Sequence, residues 1–195
     1  MNLADATAPV PVAFSMASAS TAIPPIPSAD PRGGRFTVLL GDEQDAAEAW
    51  HRTARGLLAS QGVMTLVASS GREALGLIED SAFGRGPRIH VAVLDQHMPI
   101  MGGLQILRRL QRDLSEAAQS SAPLRRAAAQ ARAVPPAILL ADSLARGTMQ
   151  EALTVQVFSV LPRPVELNLL LDSLARALRR FYQNKWPEEG LRNAE

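Results

Sequence analysis

From residue 35 onward, short uninterrupted apolar runs alternate with longer stretches whose apolar residues recur every three or four positions. The first run, Phe36-Thr37-Val38-Leu39-Leu40, stops at Gly41-Asp42-Glu43. A run of that length bounded by a glycine and acids predicts a strand buried on both faces. Residues 45–61 then set Ala46, Ala49, Trp50, Thr53, Leu57 and Leu58 at helical spacing, and Gly62 ends the pattern. The same alternation predicts further strands at 63–68, 89–94, 137–141 and 157–161. Helices are predicted at 70–82, from about 104, at 147–155 and at 165–182. Their inward stripes are Ala74, Leu75, Leu77 and Ile78, then Ile106, Leu107 and Leu110, and in the last helix Leu167, Leu170, Leu171, Leu174, Leu178 and Phe181.

Five apolar strands alternating with five helices predict an α/β fold, a doubly wound five-stranded parallel sheet with flanking helices. Each parallel connection needs a crossover long enough to hold a helix, and helices on both faces explain why the strands are apolar throughout. In such sheets chemistry collects at the carboxyl ends of the strands. Asp42 and Glu43 follow the first strand and Asp95 ends the third, so three carboxylates are expected at one edge.

The alternation is confined to 35–182. Before it, residues 1–34 hold six of the 14 prolines among Ala, Ser, Thr and Val and show no periodicity, which reads as a flexible tail or linker. Within it, 111–134 is rich in Ala, Arg and Ser and reads as an insertion at the surface, disordered or helical. Residues 183–195 read as a C-terminal tail.

Composition narrows the chemistry. Cysteine is absent, which removes disulfides, thiolate zinc sites, iron–sulfur ligation and cysteine nucleophiles. Of the 20 basic residues 19 are arginine, and the one lysine, Lys185, lies beyond the last predicted helix, so a cation in the body of the fold has to be arginine. A net charge of +1 with 47% hydrophobic and 20% charged residues is ordinary for a globular domain. No run of eighteen apolar residues spans a membrane, and the first 22 residues carry Asp5, Pro9 and Pro11 without an early cation, unlike a signal peptide. The expected location is the cytoplasm. The arginines at 112, 125, 126, 132, 176, 179 and 180 are offset by acids and join no reader motif, so no nucleic-acid partner is expected.

Three carboxylates at one edge crowd negative charge and call for a cation. Oxygen ligands without histidine or thiolate suit a hard ion such as Mg²⁺, and a carboxylate beside it can attack a phosphoryl group to form an acyl phosphate. The plain alternative for each acid is a helix cap or a solvated loop.

Gly41-Asp42-Glu43-Gln44, the run Val93-Leu94-Asp95-Gln96-His97-Met98-Pro99-Ile100-Met101-Gly102-Gly103, and Leu161-Pro162-Arg163-Pro164 resemble the three signature blocks of response-regulator receiver domains in two-component signalling. The resemblance spans 35–182 and implies a flavodoxin-like fold. It implies that Asp95 accepts a phosphoryl group from a histidine kinase or phosphotransfer protein. Asp42, Glu43, Asp95 and the backbone carbonyl of His97 would hold Mg²⁺, and output would pass to an unknown partner protein through the last strand and helix.

Three positions depart from that pattern. The family's threonine or serine after the fourth strand falls on Ala141, whose methyl donates no hydrogen bond; Ser143 could substitute only if the loop bends. The family's lysine is Arg163, which keeps the charge but carries a larger planar head. The aromatic switch position falls on Val160, and Phe158, two residues earlier, is expected on the same strand face. A divergent receiver with altered switching is therefore expected, and its rival is a phosphorylation-independent pseudo-receiver scaffold. A haloacid-dehalogenase-like hydrolase fits less well, because its Asp-x-Asp motif is missing at both strand ends. His51 reads as a solvated helix histidine, His90 as a satisfied core residue, and Trp50 as a fluorescence reporter of metal binding.

Overall fold

A computed structural model of the chain describes residues 35–42, 50–119, 121 and 134–183. Its strands are β1 (Thr37–Gly41), β2 (Met64–Ala68), β3 (Val91–Asp95), β4 (Ala137–Ala141) and β5 (Ser159–Pro162). They alternate with helices α1 (Trp50–Ser60), α2 (Gly71–Ala82), α3 (Gly103–Ala118), α4 (Arg146–Thr154) and α5 (Leu167–Leu178). The last helix continues as a turn of π-helix over Arg179–Gln183. All neighbouring strands pair in parallel, in the order β2-β1-β3-β4-β5.

The apolar runs become strands because both faces of the sheet are covered. β1, β3 and β4 are buried along their whole length. On one face Val38, Leu40, Val91, Val93, Ile138 and Leu140 pack with Trp50, Ala54 and Leu58 of α1 and with Leu170, Leu171, Leu174 and Leu178 of α5. On the other, Leu39, Ala92, Leu94 and Leu139 pack with α2, α3 and Ala152 of α4. Each fully buried Leu or Ile contributes about 1.5–3 kcal/mol relative to leaving it in water. The edge strand β2 starts with an exposed Met64.

At the amino ends of β1 and β3 an aromatic cluster closes the sheet. The rings of Phe36, His90 and Tyr182 meet at centroid distances of 5.0 to 5.9 Å. The Thr37 N–H donates to Nδ1 of His90 at 3.0 Å, and the Tyr182 hydroxyl donates to the His90 carbonyl at 2.8 Å. His90 is thus the satisfied core residue expected.

Four expectations shift. In α1 the inward residues are Trp50, Ala54 and Leu58, while Thr53 and Leu57 face solvent, because only the i, i+4, i+8 row meets the sheet. At the end of α5 it is Tyr182 that turns inward, and Phe181 is exposed. Phe158 does not share a face with Val160. It precedes β5, donates its N–H to the Ala137 carbonyl, and packs with the α5 side of the core, whereas Val160 packs on the opposite side. α3 runs on to Ala118, so the start of the stretch read as an insertion is helical. The tail 1–34, Glu43, residues 122–133 and 184–195 lie outside the described residues.

Candidate functional site

Asp95 closes β3 and Asp42 follows β1 directly, and since these strands are neighbours the two acids share the carboxyl edge of the sheet. The Asp42 N–H donates to the Ala68 carbonyl at 3.1 Å, which anchors the end of β1 to β2. Both acids are deeply buried, with relative exposures of 3% for Asp42 and 5% for Asp95. Two ionised carboxylates so far from water require a counter-charge.

Arg163 supplies it. The residue follows β5, and its backbone N–H donates to the Ala141 carbonyl at 2.9 Å. One guanidinium nitrogen, Nη2, donates to Oδ1 of Asp42 and to Oδ2 of Asp95, bridging the two carboxylates. The other two carboxylate oxygens are also held. The indole N–H of Trp50 donates to Oδ2 of Asp42 at 2.7 Å, and the His97 backbone N–H donates to Oδ1 of Asp95 at 2.7 Å. The result is a continuous polar chain, Trp50 to Asp42 to Arg163 to Asp95 to His97, across the edge of the sheet.

The loop between β3 and α3 makes this possible by folding tightly. A Cβ added to Gly102 would lie 2.1 Å from the Gln96 carbonyl oxygen, and one added to Gly103 would lie 2.8 Å from that of Asp95. Only residues without a side chain let the loop return so closely to the strand end. Met98 is buried inside this loop and packs under Gly41.

Solved structures of the same shape come from several bacteria. The receiver domain of the Francisella response regulator 1452 superposes with a TM-score of 0.55 at 20% identity, covering 75% of this chain and 98% of that one. The Vibrio cholerae chemotaxis protein CheY4 gives 0.51 at 20% identity, over 73% and 99%. The signal receiver domain of an HD domain-containing protein from Pseudomonas fluorescens gives 0.55 at 19% identity, over 75% and 97%. The chain has the receiver-domain fold. No protein-family model matches it, nor does any curated protein. Flavodoxin-like topology, five parallel strands in the order 2-1-3-4-5, is thereby established for this receiver fold.

Of the candidate residues, the receiver fold brings together Asp42, Asp95 and Arg163. Glu43 lies outside the described residues. His97 meets Asp95 through its backbone N–H, while its imidazole is exposed and lies 3.6 Å from the Asp142 carboxylate. Ala141 is fully buried at the end of β4. Ser143 is exposed, and its hydroxyl accepts the Ala145 N–H at 3.2 Å, a bond within its own loop. Val160 is half-buried in β5. The hydrogen bond of Trp50 is what sequence reasoning missed: helical spacing marks the residue as core, yet a buried indole needs an acceptor for its N–H, and acids lie within eight residues before it.

No described helix is long and apolar enough to cross a membrane.

Proposed function

We propose that the chain is a two-component receiver in which Asp95 accepts the phosphoryl group of a phosphohistidine on a histidine kinase or phosphotransfer protein. The observation that carries this reading is the buried Asp95 at the end of β3, facing Asp42 across a shared arginine. In the transfer, a carboxylate oxygen of Asp95 forms the new O–P bond as the N–P bond of the donor breaks, and the imidazole leaves with the electron pair. Arg163 holds Oδ2 of Asp95, and the His97 N–H holds Oδ1, so the carboxylate is oriented before the donor arrives. A guanidinium can then fork onto the phosphoryl oxygens.

Mg²⁺ fits the donor set in kind, because buried carboxylate oxygens suit a hard cation. Asp42, Glu43, Asp95 and the His97 carbonyl would hold it, and the bound ion would offset charge on the phosphoryl oxygens. Arg163 has to release a carboxylate before a cation can share it, since its Nη2 sits between the two.

A second reading, a pseudo-receiver that binds its partner regardless of phosphorylation, is favoured by two observations. Each oxygen of Asp42 and Asp95 already has a partner within the chain, and Ala141 offers no hydroxyl. Incubation with acetyl phosphate and Mg²⁺, read by intact mass, separates the two. The phosphoacceptor reading expects a phosphoryl adduct on the native chain that disappears in Asp95→Asn. An unmodified native chain, with partner affinity equal for native, Asp95→Ala and Asp95→Asn, would instead establish the scaffold.

A further inference from the structure

Trp50 is not a simple core residue. It lies in the first described turn of α1, 6% exposed, on the face that also carries Ala54 and Leu58, and its indole N–H reaches Oδ2 of Asp42 at 2.7 Å. That bond has two consequences for the acid edge. It occupies one oxygen of Asp42, and it fixes the rotation of the carboxylate so that Oδ1 points to Arg163. Arg163 in turn reaches Asp95 with the same nitrogen.

We propose that Trp50 is a positioning residue: by clamping Asp42 it anchors the Arg163 guanidinium between Asp42 and Asp95, where the arginine competes with a divalent cation for the same two carboxylates. The inference rests on reading this edge as a cation-dependent receiver site. Its physical basis is that a guanidinium and a divalent ion both draw on the same buried negative charge, and each lowers the other's affinity by an equal factor. A charge-assisted hydrogen bond holding Asp42 in the arginine-binding orientation tilts that competition toward Arg163.

The test is isothermal titration calorimetry of the full chain with Mg²⁺, repeated with Mn²⁺, at fixed low ionic strength. Native protein is expected to bind most weakly. Trp50→Phe, which keeps an aromatic ring but has no donor, is expected to bind roughly fivefold more tightly. Arg163→Ala is expected to gain roughly tenfold or more. The double variant should match Arg163→Ala within about twofold, because Trp50 acts through the arginine. A residue with a merely structural role would lower thermal stability and leave this order unmoved.

Unchanged or weaker binding by Trp50→Phe, gains that simply add in the double variant, or no cation binding by any variant would each overturn the inference. Should Trp50→Phe fail to fold, a Trp186→Phe background leaves Trp50 as the sole tryptophan. Mg²⁺ should then change Trp50 emission at lower concentration in Arg163→Ala than with Arg163 present, and coincident titrations would equally refute the competition. The phosphoacceptor reading fails separately. A native chain that shows the expected cation order but takes no phosphoryl group loses that reading and keeps this one.

Discussion

At the amino ends of β1 and β3, the buried polar groups meet without a carboxylate: His90 accepts the Thr37 N–H, and Tyr182 donates to the His90 carbonyl while the Arg88 guanidinium lies 5.3 Å from the centre of the Tyr182 ring. At the carboxyl ends of the same strands, two buried carboxylates share one guanidinium, with Trp50 and the His97 N–H holding the remaining oxygens. At one end the Thr37 N–H and the His90 carbonyl, and at the other all four carboxylate oxygens, are hydrogen-bonded, as burial demands. The two ends differ in what a substitution leaves behind. Loss of a partner at the aromatic end strands a dipole, and loss of the arginine at the charged end strands two anions. The charged end therefore depends on a single shared cation, Arg163, in a way the other end does not.

The largest expected effect follows from that asymmetry. Arg163→Ala should lower unfolding stability by about 3 kcal/mol or more, the scale set by breaking a buried ion pair. Chemical denaturation measures the loss, and added Mg²⁺ should recover part of it, because an ion that binds only the folded state stabilises it by mass action. A near-neutral outcome, without Mg²⁺ dependence, would mean that the two acids do not depend on the guanidinium.

His90→Phe probes the opposite end. The ring packing against Phe36 and Tyr182 is retained, but the buried Thr37 N–H loses its acceptor, an expected cost of about 2 kcal/mol. This loss should be insensitive to Mg²⁺. Recovery with the ion comparable to that of Arg163→Ala would show that the two ends are not independent. Tyr182→Phe removes one hydrogen bond to a carbonyl and should cost less, about 1 kcal/mol.

The sheet was legible in the sequence because five uninterrupted apolar runs can be buried only between two layers of helices, and the acids marked the edge where chemistry gathers. Asp42, Asp95 and Arg163 were legible as candidates from the resemblance of their surrounding blocks. Their shared hydrogen bonds were not, since these depend on which nitrogen reaches which oxygen across 121 and 68 positions of chain. Trp50 was hidden by its own periodicity: an apolar residue at a core position looks complete until its N–H is accounted for. Phe158 was misplaced because period-2 alternation holds only within a strand, and β5 begins one residue later. Phe181 was placed on the α5 stripe in place of Tyr182 because the two are adjacent at its end, and the ring packing against Phe36 and His90 selects Tyr182.

The smallest expected effect asks whether the charged end also stores strain in its backbone. Ile100 has φ +71°, a left-handed conformation that is a true outlier for a β-branched residue, and its side chain is 71% exposed. The Met101 N–H donates to the Pro99 carbonyl at 2.8 Å, so the loop makes a tight three-residue turn of the strained kind. The same carbonyl accepts the N–H of Gly71 at 3.0 Å, pinning the loop to the start of α2, where an added Cβ on Gly71 would lie 1.7 Å from the Met101 carbonyl oxygen. Packing on that side therefore holds Ile100 in a conformation its own chemistry disfavours. Left-handed geometry costs a residue with a Cβ about 1–2 kcal/mol, and glycine gives back about 0.5–1 kcal/mol through its freer unfolded chain. Ile100→Gly should accordingly stabilise the fold by up to about 1 kcal/mol in denaturant unfolding. Ile100→Ala, which keeps the Cβ and loses only exposed surface, should stay near the native value. Equal stabilities for the glycine and alanine variants would locate the strain elsewhere and leave the two ends of the sheet distinguished by charge alone.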